Sequence, residues 1–314
     1  MTYIKAHSSS VGFTGCLFGP EELSETRYLI ERAIREDLPG GDLTTAALFS
    51  GTLSGAACVE AAFVSRSPGV LCGLPVVEEL FHRHAPQVVL ESVLTDGARL
   101  EPREAFLTAR GKAGEVLPLE RIALNFLQRL SGIATLTRRF VDQVSGTGAV
   151  LLDTRKTTPG WRWLEKYAVR SGGGTNHRMS LSDAVLLKDN HLGVLRALGL
   201  GSIPEWIDTA RRSAPGSFLE IEVEGREDFL VALGAGPDAI LLDNFDIEGI
   251  RWAVGKRNER GSTPLLEASG GLQLERVWEV AQSGVDRISV GALTHSAPAL
   301  DIGLDLVRAY REEQ

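Results

Sequence analysis

From residue 150 onward, short apolar runs alternate with amphipathic stretches, and this alternation restricts the chain to repeated strand–helix units around a parallel sheet. Six runs read as strands: 150–152, 184–187, 218–223, 239–242, 265–268 and 287–290. Between the second and third, Ser202 and Glu205 stand at capping-box spacing with Pro204 in the first turn, which predicts a helix start. Nearly every strand runs into a charged or small residue at its C-terminal end: 153–156, 188–190, Glu222, Asp243 with Asn244, 269–271, and Gly291. In a (β/α) barrel those ends converge on one rim, where such folds build their sites. Six strands fall short of a complete eight-stranded barrel, and 176–179 offers a seventh.

The first half has a different texture. Residues 1–20 are Ser- and Gly-rich and read as a loosely held leader. Helical spacing then places Leu29, Ile30, Ala33 and Ile34 on one face until Pro39-Gly40-Gly41 stops it. Between 55 and 111, β-prone runs at 61–65, 88–94 and 105–109 are punctuated by turn signals, which predicts a small sheet. A helix pair follows at 119–130 and 133–144, with Ser131-Gly132 as the expected break.

Composition narrows the classes. With 43% hydrophobic residues over 314, the chain can bury one large core or two moderate ones. No apolar run approaches the roughly 20 residues a membrane span requires, and residues 1–10 lack a basic start followed by an apolar block. Cys16, Cys58 and Cys72 are odd in number and lack a Cys-x-x-Cys spacing, so reduced thiols and a cytoplasmic setting are expected. A net charge of −8 argues against a general nucleic-acid binder, yet leaves room for a local cationic cleft that collects anions.

Several rim segments suit anion chemistry. Thr154-Arg155-Lys156-Thr157-Thr158-Pro159-Gly160 sets two cations in a hydroxyl-rich loop after a strand. In Ser171-Gly172-Gly173-Gly174-Thr175-Asn176-His177-Arg178, glycines let backbone N–H groups approach an anion, and Arg178 can hold a carboxylate in a bidentate fork. Taken alone, an Arg-Lys pair is a solvated turn and a lone His is a structural imidazole; recurrence on one rim gives them weight. Lys188 in Lys188-Asp189-Asn190-His191 can neutralise a leaving diphosphate. Glu222 and Asp243 can face ribose hydroxyls, or magnesium held through water or phosphate oxygens. Glu220 shares the strand face of Glu222, so either can be the working carboxylate. Ser269-Gly270-Gly271 and Val290-Gly291-Ala292 follow late strands, where barrels often hold a phosphate monoester.

Together these segments resemble the quinolinate phosphoribosyltransferase family, the carboxylating nicotinate-nucleotide pyrophosphorylases. The likeness also takes in Glu36-Asp37 through Thr44-Thr45, Glu120-Arg121-Ile122-Ala123-Leu124-Asn125, Lys166-Tyr167-Ala168-Val169 and Glu220 through Val223, all in order. It implies an α/β chain of two parts: an open-faced α/β sandwich over 21–130, completed by a C-terminal helix over 298–314, and an incomplete (β/α) barrel over 131–297. It implies a homodimer in which Arg121 enters the partner's pocket. By the same resemblance Arg155, His177 and Arg178 hold the pyridine dicarboxylate, with Thr154 beside them, and Lys156, Lys188, Glu222 and Asp243 handle diphosphate, ribose and Mg2+. The turns at 269–271 and 290–292 take the 5′-phosphate. Ser171 stands where Cys is expected and Ile122 where Thr is common; neither is a charged contact. Competing readings are a paralogue acting on another carboxylated heterocycle, a non-catalytic phosphosugar binder, and a barrel aldolase using Lys188.

Overall fold

The computed structural model describes residues 18–49, 57–261 and 263–311. Cys16 and the expected leader as far as residue 17 lie outside the described residues.

The first part is a four-stranded antiparallel sheet backed by helices. Helix α1 (Pro20–Asp37) starts where Pro20 needs no donor and Glu22 reaches back to accept from Gly19 N at 3.0 Å. A short α2 (Leu43–Phe49) follows, then β1 (Ala57–Ser65), β2 (Gly69–Val70), α3 (Leu74–His84), β3 (Val89–Ser92), β4 (Arg99–Leu100) and β5 (Ala105–Lys112). β1 lies centrally, antiparallel to β5 on one side, and α1 and α3 pack against each other. β2 and β4 pair separately.

A single turn α4 (Ala113–Val116) leads into α5 (Glu120–Val144), one unbroken helix where two were expected. Ser131 and Gly132 do not break it, because both serve close packing. The Ser131 hydroxyl accepts from Cys72 N at 2.9 Å and donates to Cys72 O at 3.1 Å. At Gly132 the neighbouring chain comes so near that a Cβ would lie 2.0 Å from Pro298 O. The helix thus carries the chain through the expected division at 130/131 without a linker.

The second part realises the strand–helix alternation: β6 (Val150–Leu152), α6 (Arg162–Ser171), β7 (Val185–Leu187), α7 (Asp189–Ala197), α8 (Ile203–Ser213), β8 (Leu219–Val223), α9 (Arg226–Ala235), β9 (Ala239–Asp243), α10 (Ile247–Glu259), β10 (Leu265–Ser269), α11 (Leu274–Gln282), β11 (Arg287–Ser289) and a one-turn α12 (Ala292–His295). All six strand expectations are met. Ser202 is the N-cap of α8, but its hydroxyl donates to Glu205 Oε2 at 2.9 Å instead of capping the backbone. The strands form one parallel sheet in the order β6-β11-β10-β9-β8-β7. Segment 176–179 is not a seventh strand. The chain beside β6 makes one parallel bridge, Leu152 to Thr175, and then turns inward.

The expected C-terminal helix is a strand, β12 (Ile302–Arg311), antiparallel to β1 with Ser65 opposite Ile302 and Ala57 opposite Arg311. The physical reason is twofold. Gly303 and the alternation of Ile302, Leu304 and Leu306 with Gly303, Asp305 and Val307 disfavour a helix, and β1 otherwise leaves one ladder of N–H and C=O groups without partners. The return of the chain to the first sheet was expected; its conformation was not. Leu306, Val307 and Val89 are exposed on this sheet, the open side of an open-faced sandwich.

Candidate active site

The C-terminal ends of the parallel strands gather nearly all the residues expected from sequence. The loop after β6 carries Thr154, Arg155 and Lys156. The Thr154 hydroxyl accepts from Lys156 N at 3.0 Å, and the Lys156 stem lies across the turn after β11, its Cδ 2.9 Å from where a Cβ on Gly291 would be. Gly291 is therefore needed for close approach, not for an unusual backbone angle. Val290 N donates to Leu152 O at 2.9 Å and Thr294 Oγ1 to Lys156 O at 2.7 Å, so the loops after β6 and β11 are stitched together. Ala292 opens the one-turn α12. Arg155 Nε is buried without a hydrogen-bond partner among the described residues.

Segment 175–178 sits in the gap between the edge strands, held by a polar knot. Asp153, wholly buried at the end of β6, accepts from Lys166 Nζ, from His177 N at 2.8 Å and from Asn176 Nδ2 at 2.6 Å. Lys166 also donates to His177 O at 3.0 Å. Burial pushes the Asp153 carboxyl up and the Lys166 ammonium down, and each partner's charge opposes the other's shift. The knot presents Arg178, only 6% exposed, with Nη1 donating to Ala184 O at 3.0 Å. Its guanidinium is thereby pre-oriented.

His177 faces inward. Its Nδ1 accepts from Arg178 N at 2.7 Å, so the proton of the neutral ring is on Nε2, which lies 3.1 Å from Glu220 Oε2 and 3.6 Å from Glu267 Oε1. Burial lowers the imidazole below its ordinary value. Both nitrogens thus have partners within the protein, which fixes the ring beside Arg178. Glu220 on β8 and Glu267 on β10 are wholly buried, and burial raises each from 4.5 to about 7. Contact among residues from β8, β10 and the segment beside β6 means that the sheet curls around an interior. His177, Glu220 and Glu267 offer one nitrogen and two carboxylate donors within 4.8 Å of one another, a mixed set unlike the all-oxygen shell magnesium prefers.

Glu222, two residues on from Glu220, points toward the rim and accepts from Lys188 Nζ of the neighbouring strand end at 3.2 Å. That geometry separates the two carboxylates that sequence left open: Glu220 turns to the buried histidine, Glu222 to the rim lysine. Asp243 ends β9, accepting from Asn244 Nδ2 at 2.7 Å. Asn244 has a positive φ of 56° and its N–H donates to Ser269 O at 3.0 Å. Gly270, φ 103°, packs so tightly on it that a Cβ would lie 2.2 Å from Asn244 Oδ1; Gly271 follows at φ 55°. Glu222 and Asp243 supply oxygen donors on adjacent strands, which fits a hard divalent cation. Arg121, in the first turn of α5, is exposed.

Sequence reasoning missed Glu267, Lys166, Arg129 and Glu165. Glu267 had a signal, a carboxylate inside an apolar strand. The others lie on helices whose amphipathic pattern reads as ordinary.

A sandwich joined to a curled six-stranded parallel sheet, with cations, carboxylates and tight glycine turns on one rim, is an enzyme scaffold for phosphorylated anionic substrates. Comparison with known proteins makes this specific. The family model described as quinolinate phosphoribosyl transferase, N-terminal domain, matches residues 42–131, and that of the C-terminal domain matches 133–305. The nicotinate-nucleotide pyrophosphorylase [carboxylating] of Mycobacterium leprae is 44% identical over 290 residues, 91% of this chain and 98% of that one. A probable counterpart in Bacillus subtilis is 39% identical over 90% of this chain and 93% of its own length. The crystal structure of nicotinate-nucleotide pyrophosphorylase from Ehrlichia chaffeensis superposes with a TM-score of 0.81 at 38% identity, covering 89% of this chain and 98% of that one. The chain belongs to the quinolinate phosphoribosyl transferase family.

Proposed function

We propose that this chain transfers the phosphoribosyl group of phosphoribosyl diphosphate to the ring nitrogen of quinolinate, with loss of the adjacent carboxyl as CO2, giving nicotinate mononucleotide and diphosphate for NAD biosynthesis. The observation that carries the reading is the convergence of buried, pre-oriented Arg178, the Lys188–Glu222 pair and Lys156 against Gly291 on one rim. A dicarboxylate and a diphosphate sugar need that pairing of fixed guanidinium and rim cations.

In this reading Arg155, His177 and Arg178 hold the pyridine dicarboxylate, joined by Arg121 of a partner subunit in a homodimer with shared sites. Lys156 and Lys188 take up negative charge growing on the departing diphosphate, while Glu222 or Asp243 stands near the ribose as positive charge develops at C1. Catalysis is mainly positioning and charge stabilisation, with no protein nucleophile. Glu222 and Asp243 would hold Mg2+, which neutralises diphosphate charge when bound. Once the ring nitrogen is alkylated, the cationic ring stabilises the carbanion left when the adjacent carboxyl departs as CO2, and that carbon then takes a proton from water to give the product. The turns at 269–271 and 290–292 accept the 5′-phosphate.

No helix among the described residues is long and apolar enough to cross a membrane. A cytoplasmic setting accords with that and with the biosynthetic role. The test is direct: incubate the purified protein with quinolinate, phosphoribosyl diphosphate and magnesium, and measure nicotinate mononucleotide with released CO2. Release of neither overturns the assignment.

A further inference from the structure

Behind the rim, Glu165 in the first turn of α6 is wholly buried, and its carboxylate carries three hydrogen bonds. Thr158 N donates at 3.0 Å, Thr158 Oγ1 at 2.8 Å and Arg129 Nη2, from α5, at 2.7 Å. Arg129 continues to the other loop: Nη1 donates to Ala297 O at 3.0 Å and Nη2 to Thr294 O. Thr294 then closes the circuit through its hydroxyl to Lys156 O at 2.7 Å. One carboxylate and one guanidinium, both set back from the rim, therefore fix the loop after β6 against the segment after β11. A buried carboxylate is costly unless it is fully bonded; here Glu165 holds the loop after β6 through Thr158, Arg129 holds the segment after β11 through Thr294 O and Ala297 O, and their ion pair joins the two.

We propose that Glu165 and Arg129 are positioning residues that set the spacing between the diphosphate subsite at Lys156 and the 5′-phosphate subsite at the Gly291 turn. This rests on the function proposed above. Phosphoribosyl diphosphate carries an anion at each end of the sugar, so a fixed spacing makes its second contact intramolecular once the first is made. Loosening the hub penalises a ligand that spans both subsites far more than one that fills a single subsite. Inorganic pyrophosphate is such a single-subsite probe.

The experiment compares wild-type protein with Glu165→Gln, which keeps the shape but presents an amide to donors, and with Thr158→Val at an exposed position, which deletes one bond. For Glu165→Gln, KM for phosphoribosyl diphosphate should rise by about tenfold or more with kcat within about threefold, while the pyrophosphate Kd, by calorimetry with magnesium, changes less than about twofold. Thr158→Val should show the same split with a rise of roughly threefold, and it carries the test alone if the first variant does not fold. Equal weakening toward both ligands, or unchanged KM in a folded variant, overturns the spacing role. A wild-type protein that binds pyrophosphate yet yields no nicotinate mononucleotide overturns the assigned reaction instead.

Discussion

Replacing Glu267 with Gln should make the protein more stable than wild type, and increasingly so as pH rises. Glu267 is wholly buried on β10, and neither of its oxygens has a hydrogen-bond partner by geometry among the described residues. Burial, then Glu220, push its carboxyl from 4.5 to about 7, against the pull of His177, Ser289 and Arg287. Glu220 is raised alike, with Arg287 and Arg178 pulling it down and Glu222 pushing it up. The unfolded chain releases this proton near 4.5, whereas the folded chain keeps it until about 7. Stability from the retained proton is full below the lower value, declines as pH climbs between the two, and is gone above the upper. One pH unit of separation is worth about 1.4 kcal/mol, so the loss is on the order of 3 kcal/mol. Gln keeps the shape and has no proton to lose. The two proteins should therefore melt together near pH 4.5, while at pH 8 the variant leads by roughly 6–12 °C, at about 2–4 °C per kcal/mol. His177, whose lowered value acts with the opposite sign, is itself held up by the Glu267 charge, so its titration is followed by NMR alongside the melting curves. Melting curves by circular dichroism across this range decide the matter, and parallel curves would refute a proton held at neutrality.

Other outcomes follow from the same geometry. Arg178→Ala removes a pre-oriented guanidinium and should lower kcat/KM for quinolinate by several tens-fold or more, from about 2–5 kcal/mol of lost contact, as steady-state kinetics will show. Gly132→Ala places a methyl group 2.0 Å from Pro298 O, so chemical denaturation should report a loss of about 1–3 kcal/mol. Gly270→Ala meets both a φ of 103° and Asn244 Oδ1 at 2.2 Å; by displacing Asn244 from Asp243 it should cut kcat/KM by about tenfold, a strain cost of order 1–3 kcal/mol. Inactive Arg121→Ala and Arg155→Ala chains, mixed and allowed to exchange, should regain activity through heterodimers.

The barrel was legible because its information is local. A run such as 239–242 is apolar, short and followed by Asp243-Asn244, and nothing distant is needed to read it as a strand with a functional end. The errors all lie where distant partners decide. Ser131-Gly132 looks like a helix stop until Cys72 and Pro298 are brought against it. The helix over 298–314 is what the family likeness implies; Ile302, Leu304 and Leu306 alternate as a strand does, and β1 supplies the partner that makes them one. Glu165 and Arg129 gave no sign, since a carboxylate in a helix's first turn and an arginine on an amphipathic helix are commonplace.

β12 reaches the molecule's first sheet from beyond its last parallel strand. The ladder on that side of β1 can be filled only after everything between them has been synthesised, so during translation the earlier half waits, with an open edge, for the later one. Completion of the first sheet is thereby tied to completion of the chain, and truncation past residue 301 should harm the part made first.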